Sequence, residues 1–310
     1  MESKPLISIA LCTYNGSDFL KQQLDSILAQ SVNNWEIVVV DDCSQDETRD
    51  IIKAYAECDA RFHVHYNDQN LGYNKNFEKA LKLCKGEYIA ICDQDDIWDK
   101  DKLKFQLEAI KENLMVYHDS LFMDRTGKSM GTKISDKFNF YRGDRPEVFL
   151  YLNCVSGHSI LMKNSVLPLA LPFPEKFHYD QWLAYIATTH GTIDFVNQPL
   201  VQYRQHGKNN TDILAMHSAS KSSNQKLEEL KSESEWLQLC AEKANGKSKS
   251  FIVKLHALSI QRNNSIAGIS YGLAIWNHKE ILLSLLKKSN RSKFFWVLRK
   301  TWGSKIKKWL

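Results

Sequence analysis

The sequence predicts an α/β protein whose sheet is largely parallel, followed by an all-helical region. Three observations lead there. Short, nearly continuous apolar runs at Leu6–Cys12, Trp35–Val40 and Tyr88–Cys92 have the texture of strands buried on both faces. The stretches between them repeat apolar residues at helical spacing. Each run ends in polar residues, and the last ends in three carboxylates, Asp93, Asp95 and Asp96.

Taken in order, the run Leu6–Cys12 breaks at the turn Thr13-Tyr14-Asn15-Gly16. Ser17 and Asp18 then cap a helix in which Phe19, Leu20, Leu24, Ile27 and Leu28 recur at helical spacing. Trp35–Val40 ends in Asp41-Asp42-Cys43-Ser44, and Asp46-Glu47-Thr48 opens a second helix. Phe62–Tyr66 alternates as a third strand. A polar loop containing Gly72 leads into a helix over Asn76–Lys85, which Gly86 stops before the strand Tyr88–Cys92. Strand–helix alternation of this kind argues for a doubly wound sheet with right-handed crossovers.

Further on, the pattern predicts a helix over Trp98–Asn113, a strand over Met115–Met123 and a loop over Asp124–Arg145. A helical turn at Glu147–Tyr151, a small-residue bend at Val155–Ser159 and a strand at Ile160–Met162 follow. A helix begins at Tyr179, and two short strands are expected at Thr192–Val196 and Leu200–Arg204. From about Asp212 strand signals cease. The expected division is an α/β domain over 1–211 and a helical region over 212–310.

Composition excludes several classes. With 43% hydrophobic and 25% charged residues the chain is ordinary globular protein, and a net charge of +5 gives no global signal for nucleic acid. The cysteines (12, 43, 58, 84, 92, 154 and 240) are odd in number and contain no C-x-x-C pair, which argues against a disulfide framework or a zinc site and fits a reducing compartment. Met1–Pro5 is polar, so no leader peptide is expected, and no run approaches the roughly 18 apolar residues of a spanning helix. There is no G-x-G-x-x-G after the first strand and no G-x-x-x-x-G-K-[ST], so dinucleotide and P-loop sites are disfavoured.

The acids at the end of the Tyr88 strand carry the chemistry. In an open α/β sheet, ligands bind at the carboxyl ends of the strands. Acids this close together repel unless a cation sits among them. Asp93 and Asp95 suit a hard divalent metal bound through oxygen. An EF-hand loop starting at Asp93 fails, because Trp98 takes the glycine position and Lys104 the final glutamate position.

Four blocks now stand in order: Leu11-Cys12-Thr13-Tyr14-Asn15, Val40-Asp41-Asp42-Cys43-Ser44, Asn70-Leu71-Gly72 and Asp93-Gln94-Asp95-Asp96. Together they resemble the family 2 glycosyltransferases of the GT-A fold. Asp93–Trp98 with Tyr203-Arg204-Gln205-His206 is similar to the rhamnosyltransferase-like branch. The resemblance implies a GT-A architecture, a Rossmann-like nucleotide-binding mixed sheet flanked by helices, with a C-terminal helical appendage. It implies that Thr13, Tyr14, Asn15 and Asp42 hold the nucleotide of a dTDP- or UDP-sugar. Asp95 becomes the direct ligand of Mg²⁺ or Mn²⁺, joined by His206 at the metal or the diphosphate, and Asp93 a contact to ribose or to the metal shell. Gly157 and His158 fall in a turn that lines the acceptor pocket in relatives. Asp180 matches the general base of inverting members. Tyr179 before it departs from the acidic pair of many members and leaves the base with one like charge fewer.

The implied reaction is sugar transfer to a hydroxyl of a growing, lipid-linked bacterial surface glycan such as O-antigen or capsule. The alternative is a non-catalytic glycan- or membrane-binding protein that keeps the fold. The implied location is cytoplasmic, peripheral at the inner face of the plasma membrane. In the tail, Phe295, Leu298, Trp302, Ile306 and Trp309 fall on one helical stripe, and no acid follows Glu280. A basic amphipathic segment over 289–310 suits an anionic bilayer surface; the other reading packs the stripe on the catalytic domain.

Overall fold

The structure is a computed structural model and describes residues 6–206 and 222–307. The chain divides into two compact units. The first takes the residues up to 144 together with 154–206; the second joins 145–153 to the residues after 206. The expected boundary at 211/212 and Trp309 of the expected stripe lie outside the described residues.

The first unit is built on one sheet. Its strands are β1 (Ile7–Thr13), β2 (Trp35–Asp41), β3 (Phe62–Tyr66), β4 (Tyr88–Cys92), β5 (Ile97–Trp98), β6 (Met115–Met123), β7 (Ser129–Lys133), β8 (Leu161–Lys163) and β9 (Ile193–Arg204). They run in the order β3-β2-β1-β4-β8-β6-β9-β5, with β7 beside β6. The first four are mutually parallel. β8 runs antiparallel between β4 and β6, β9 parallel to β6 and β5 antiparallel to β9. The helices are α1 (Leu20–Leu28), α2 (Thr48–Cys58), α3 (Tyr73–Leu83), α4 (Lys102–Ile110), α5 (Ile134–Lys137), α6 (Leu167–Ala170) and α7 (Tyr179–His190).

The continuous apolar runs behave as their texture requires: every residue of β1 and of β2 is buried. The chain builds outward from β1 through β2 to β3, then returns to place β4 on the other side of β1. That reversal is a switch point, and the carboxyl ends of β1, β2 and β4 open there. Away from this edge, Ser8 Oγ donates to Glu36 Oε1 at 2.5 Å and accepts from the backbone of Lys85 and Gly86. Gly86 has no room for a side chain, since a Cβ would lie 2.5 Å from the Ser8 nitrogen.

Several expectations are corrected. The helix expected from Trp98 begins only at Lys102, because Ile97 and Trp98 pair with Gln202 and Val201 as a sheet edge. The stretch expected as a loop over 124–145 contains β7 and α5. β7 carries no apolar alternation; its residues are mostly exposed and it is held by pairing to β6. The two short strands expected at 192–204 are a single strand, β9, whose pairing to β6 shifts register near Asp119 and Pro199. A shift there accommodates a proline that cannot donate to the ladder.

The second unit contains α8 (Ser223–Lys243), α9 (Lys249–Asn263), α10 (Ile269–Asn277), α11 (Lys279–Leu282), α12 (Asn290–Lys300) and α13 (Ser304–Lys307). The expected continuous tail stripe is interrupted. α12 ends at Lys300, Trp302 forms a bridge with Ala267, and Gly303 lies where a Cβ would meet the Ser265 carbonyl oxygen at 2.1 Å. The interior of this unit is organised by a charge. Glu233 Oε1 accepts from Arg262 Nη1 at 2.6 Å and from the Tyr271 hydroxyl at 2.8 Å, and its other oxygen meets Lys300 Nζ. Tyr151, from the segment 145–153, donates to the Tyr271 hydroxyl at 2.8 Å.

Burial alone would raise the Glu233 carboxyl, but the Lys300 and Arg262 charges outweigh it and hold it down at about 2. A depressed carboxyl contributes stability that is fully present above its ordinary value of 4.5 and is lost as pH falls toward 2. Glu233→Gln leaves the fully buried Arg262 without its counter-charge and should cost about 3–5 kcal/mol. Denaturant unfolding at neutral pH measures it. A loss under about 1 kcal/mol would show that the cluster is no anchor.

Candidate functional site

Everything in this site belongs to the first unit. Its floor is the carboxyl edge of β1, β2 and β4, where the parallel register pairs Thr13 with Asp41 and Leu11 with Cys92. Two residues in this edge take positive φ without being glycine, Asn15 at 46° and Cys43 at 66°. Asparagine enters that region readily, whereas cysteine does so at a strain that the surrounding hydrogen bonds must hold.

The β1 turn is tied down by its neighbours. The Thr13 hydroxyl donates to Asp41 Oδ2 at 2.9 Å, which turns that side chain inward. Tyr14 exchanges two hydrogen bonds with the Gln94 side chain through its backbone N–H and carbonyl, so the first turn is bolted to the acidic loop. The Tyr14 ring stays 47% exposed, open for stacking. Asn15 Oδ1 accepts from the Gln45 backbone, and Asn15 N–H donates to Ser44.

Asp42 is buried and already serves the chain. Oδ1 accepts from Asn67 Nδ2 at 2.7 Å and from the Leu71 N–H at 2.8 Å, and Oδ2 accepts from the Gly72 N–H at 2.9 Å. This joins the second and third sequence blocks. A carboxylate offers about four lone-pair positions, so three donors leave one open.

The acidic loop departs most from a simple surface turn. Asp95 and Asp96 are buried, and Asp93 is half-buried. Ligand atoms of Asp93, Asp96 and His158 lie within 4.8 Å of one another. His158 Nδ1 stands 3.7 Å from an Asp93 oxygen and 3.6 Å from Asp96 Oδ2, and its Nε2 is 2.8 Å from the Ser120 hydroxyl. Asp96 Oδ1 accepts from the Arg204 N–H, while Oδ2, fully buried, has no hydrogen-bond partner among the described residues. Burial, then the Asp95 and Asp93 charges, push the Asp96 carboxyl well above the usual carboxylate range. An orphaned buried oxygen facing an imidazole and a second acid fits a divalent cation by its chemistry, oxygen-rich and negatively charged. Asp95 turns elsewhere: its Oδ2 is 2.6 Å from His206 Nε2, and the His206 ring stacks on Phe19 at 5.2 Å.

Asp180 opens α7. It is half-buried, accepts from the Gln181 and Gly157 N–H groups, and has its carboxyl raised to about 6. Burial is the main cause, opposed by the His178 charge and aided by Asp93. The Tyr179 hydroxyl packs on Gly157 so closely that a Cβ there would lie 2.1 Å from it. Gly157 and His158 are consecutive, so one short turn touches Asp180 on one side and the acid cluster on the other.

Of the residues expected from sequence, Asp93, His158, Gly157 and Asp180 form this connected group, and Asp95 with His206 forms a pair beside it. Thr13, Asn15 and Asp42 hold the neighbouring turns, and Tyr14 presents its ring. Sequence reasoning assigned no role to Asp96 as a ligand, to Ser120 behind His158, or to Arg204. The buried Arg204 guanidinium donates to the Asp95 carbonyl, the Arg125 carbonyl and Gln22, and lies 4.6 Å over the Phe19 ring. The signal for Asp96 was present as the third acid; Arg204 acts from a strand more than a hundred residues away and left no local pattern.

The profile of the family described as Glycosyl transferase family 2 matches residues 8–167. A putative teichuronic acid biosynthesis glycosyltransferase of Bacillus subtilis, TuaG, is 45% identical over 109 residues, covering 35% of this chain and 43% of its own length. The Escherichia coli protein WfgD, named as a UDP-Glc:alpha-D-GlcNAc-diphosphoundecaprenol beta-1,3-glucosyltransferase, is 29% identical over 184 residues, covering 58% of this chain and 70% of its own. Residues 1–349 of S. aureus TarS, solved in complex with UDP-GlcNAc, superpose with a TM-score of 0.61 at 20% identity, covering 95% of this chain and 87% of that one. The mannosyltransferase PcManGT from Pyrobaculum calidifontis, solved with GDP-Man and Mn2+, gives 0.54 at 15% identity, covering 99% of this chain and 88% of that one. These structures establish the GT-A fold, and with more than half of its length matched by the family profile, the chain belongs to glycosyl transferase family 2.

Proposed function

We propose that this protein is an inverting glycosyltransferase that moves a sugar from a nucleoside-diphosphate donor to a hydroxyl of a growing, lipid-linked bacterial polysaccharide. One observation carries the reading: the turn Gly157-His158 touches both a carboxyl raised to about 6 and a cluster of acids suited to a cation. A base and a site for the leaving diphosphate are the two things such a transfer requires.

The roles follow from the contacts. The Tyr14 ring stacks on the base of the donor, and the open lone pair of Asp42 accepts from its imide N–H. Thr13 and Asn15 keep that turn in place. Mg²⁺ or Mn²⁺ would be held among Asp93, Asp96 and His158, with the Asp95–His206 pair beside them, and would supply Lewis-acid neutralisation of the diphosphate when bound. Asp180 takes the proton from the acceptor hydroxyl as that oxygen attacks the anomeric carbon opposite the diphosphate, which departs with the bonding pair. UDP in the TarS structure and in the name of WfgD supports a UDP-sugar; dTDP-rhamnose is the rival donor. The diphosphoundecaprenol in the name of WfgD supports a lipid-linked acceptor.

Asp180→Asn should lower transfer by about 10²–10⁴-fold while leaving nucleotide affinity within twofold, roughly the span expected of a lost general base. Calorimetry with UDP beside a transfer assay separates the two, and unchanged transfer would remove Asp180 from the role. The raised carboxyl also sets a pH profile. It is protonated below about 6, so kcat/KM should fall as pH drops through that value. For stability the sign is opposite. A carboxyl raised in the folded state favours folding most below its ordinary value of 3.8 and loses that contribution as pH rises through about 6, so Asp180→Asn should be at least as stable as the parent at pH 8. A thermal-shift panel of UDP-, dTDP- and GDP-sugars, each with Mn²⁺ and with EDTA, identifies the donor. At about a hundredfold over Kd the cognate sugar should add about 2.7 kcal/mol, and only with the cation present.

A further inference from the structure

The second unit carries an exposed apolar face that its own packing leaves uncovered. α10 and α12 run antiparallel: Gly268 N–H donates to the Thr301 carbonyl, a Cβ on Gly272 would meet Thr301 and Val297, and the Trp276 ring stands 5.5 Å from Phe294. In an antiparallel pair, residues one step beyond the contact line on each helix point to the same side. Leu273 follows Gly272 and Leu298 follows Val297. Ile269, Leu273, Phe294, Phe295 and Leu298 are each between 41% and 69% exposed. Five large apolar side chains at that exposure on two adjoining helices form a patch rather than scattered surface residues.

Charge says what covers it. Lys287, Lys288, Arg291 and Arg299 are exposed on α12 and the turn before it, and no carboxylate follows Glu280 in the sequence. Across 268–300 the one acidic residue is the exposed Glu280, just beyond α10; an apolar face whose border is otherwise basic fits the headgroup layer of an anionic bilayer better than a protein partner, which would meet both signs.

We propose that α10 and α12 form a docking face for anionic membrane, with Ile269, Leu273, Phe294, Phe295 and Leu298 entering the acyl boundary and the basic residues meeting lipid phosphates. This replaces the single tail stripe with a two-helix face, since Trp302 turns back to bridge Ala267. It rests on the lipid-linked acceptor only for its purpose; vesicle binding requires no sugar nucleotide, so either reading can fail alone.

The test is flotation of the full chain with phosphatidylglycerol-rich vesicles and with pure phosphatidylcholine vesicles. The parent should float with the first and not the second, and release in high salt. Leu273→Ser with Phe294→Ser, and separately Lys288→Glu with Arg291→Glu, should each weaken binding about tenfold or more. Melting temperature and donor-sugar hydrolysis in solution should not change. The proposal is overturned if the parent ignores anionic vesicles, if both variants float like the parent, or if sedimentation shows a dimer that the apolar variant dissolves, which would make the face a contact between copies.

Discussion

The arrangement depends on carboxylates crowded at the end of β4 with too little positive charge to satisfy them. Asp96 is fully buried, one of its oxygens has no hydrogen-bond donor among the described residues, and Asp95 and Asp93 raise its carboxyl further. Chains seldom keep such a group for stability, because an unpartnered buried oxygen costs about 1–3 kcal/mol. The sheet tolerates it because Arg204 pins the loop from behind. Arg204 is a positioning residue: its backbone N–H meets Asp96 and its guanidinium meets the Asp95 carbonyl, so the acids cannot swing apart to relieve their repulsion.

The same logic explains the turns nearby. Thr13 gives its hydroxyl to Asp41, Asp42 gathers the N–H groups of Leu71 and Gly72, and Gln94 clasps Tyr14. Of the residues that the resemblance assigned to the nucleotide, Thr13, Asn15 and Asp42 are also struts. The two roles are compatible: struts in a site that must receive a charged ligand hold the remaining lone pairs in place before the ligand arrives, so little ordering entropy is lost on binding.

The parallel half of the fold was legible because its signal is local. Continuous apolar runs for β1, β2 and β4 and helical periodicity between them need no knowledge of distant partners. The loop at 124–145 was not, because β7 exists through backbone pairing to β6 and its side chains carry no alternation. Trp98 misled for a related reason: it follows polar residues as a helix start would, yet its place is set by Val201 in a strand far along the chain. In the site, residue types that announce chemistry were readable. Ser120 and Arg204, which act by holding others, were not, since a buried serine or arginine in a strand looks like any other residue until its partner is known.

The base role proposed for Asp180 rests on how its carboxyl is raised. The residue before it is Tyr179, so repulsion from an adjacent carboxylate in the chain is not available to raise it. Burial does that work instead, with Asp93 contributing less than the desolvation. Tyr179 itself supplies part of the crowding, with its hydroxyl seated against Gly157 and its ring stacked on Phe173 at 5.9 Å. A base lifted mainly by desolvation is less sensitive to cation binding among the acids than one lifted mainly by like charge, because only the smaller Asp93 contribution is cancelled when a cation neutralises that residue. In the proposed role, the tuning of Asp180 would therefore survive cation binding largely intact.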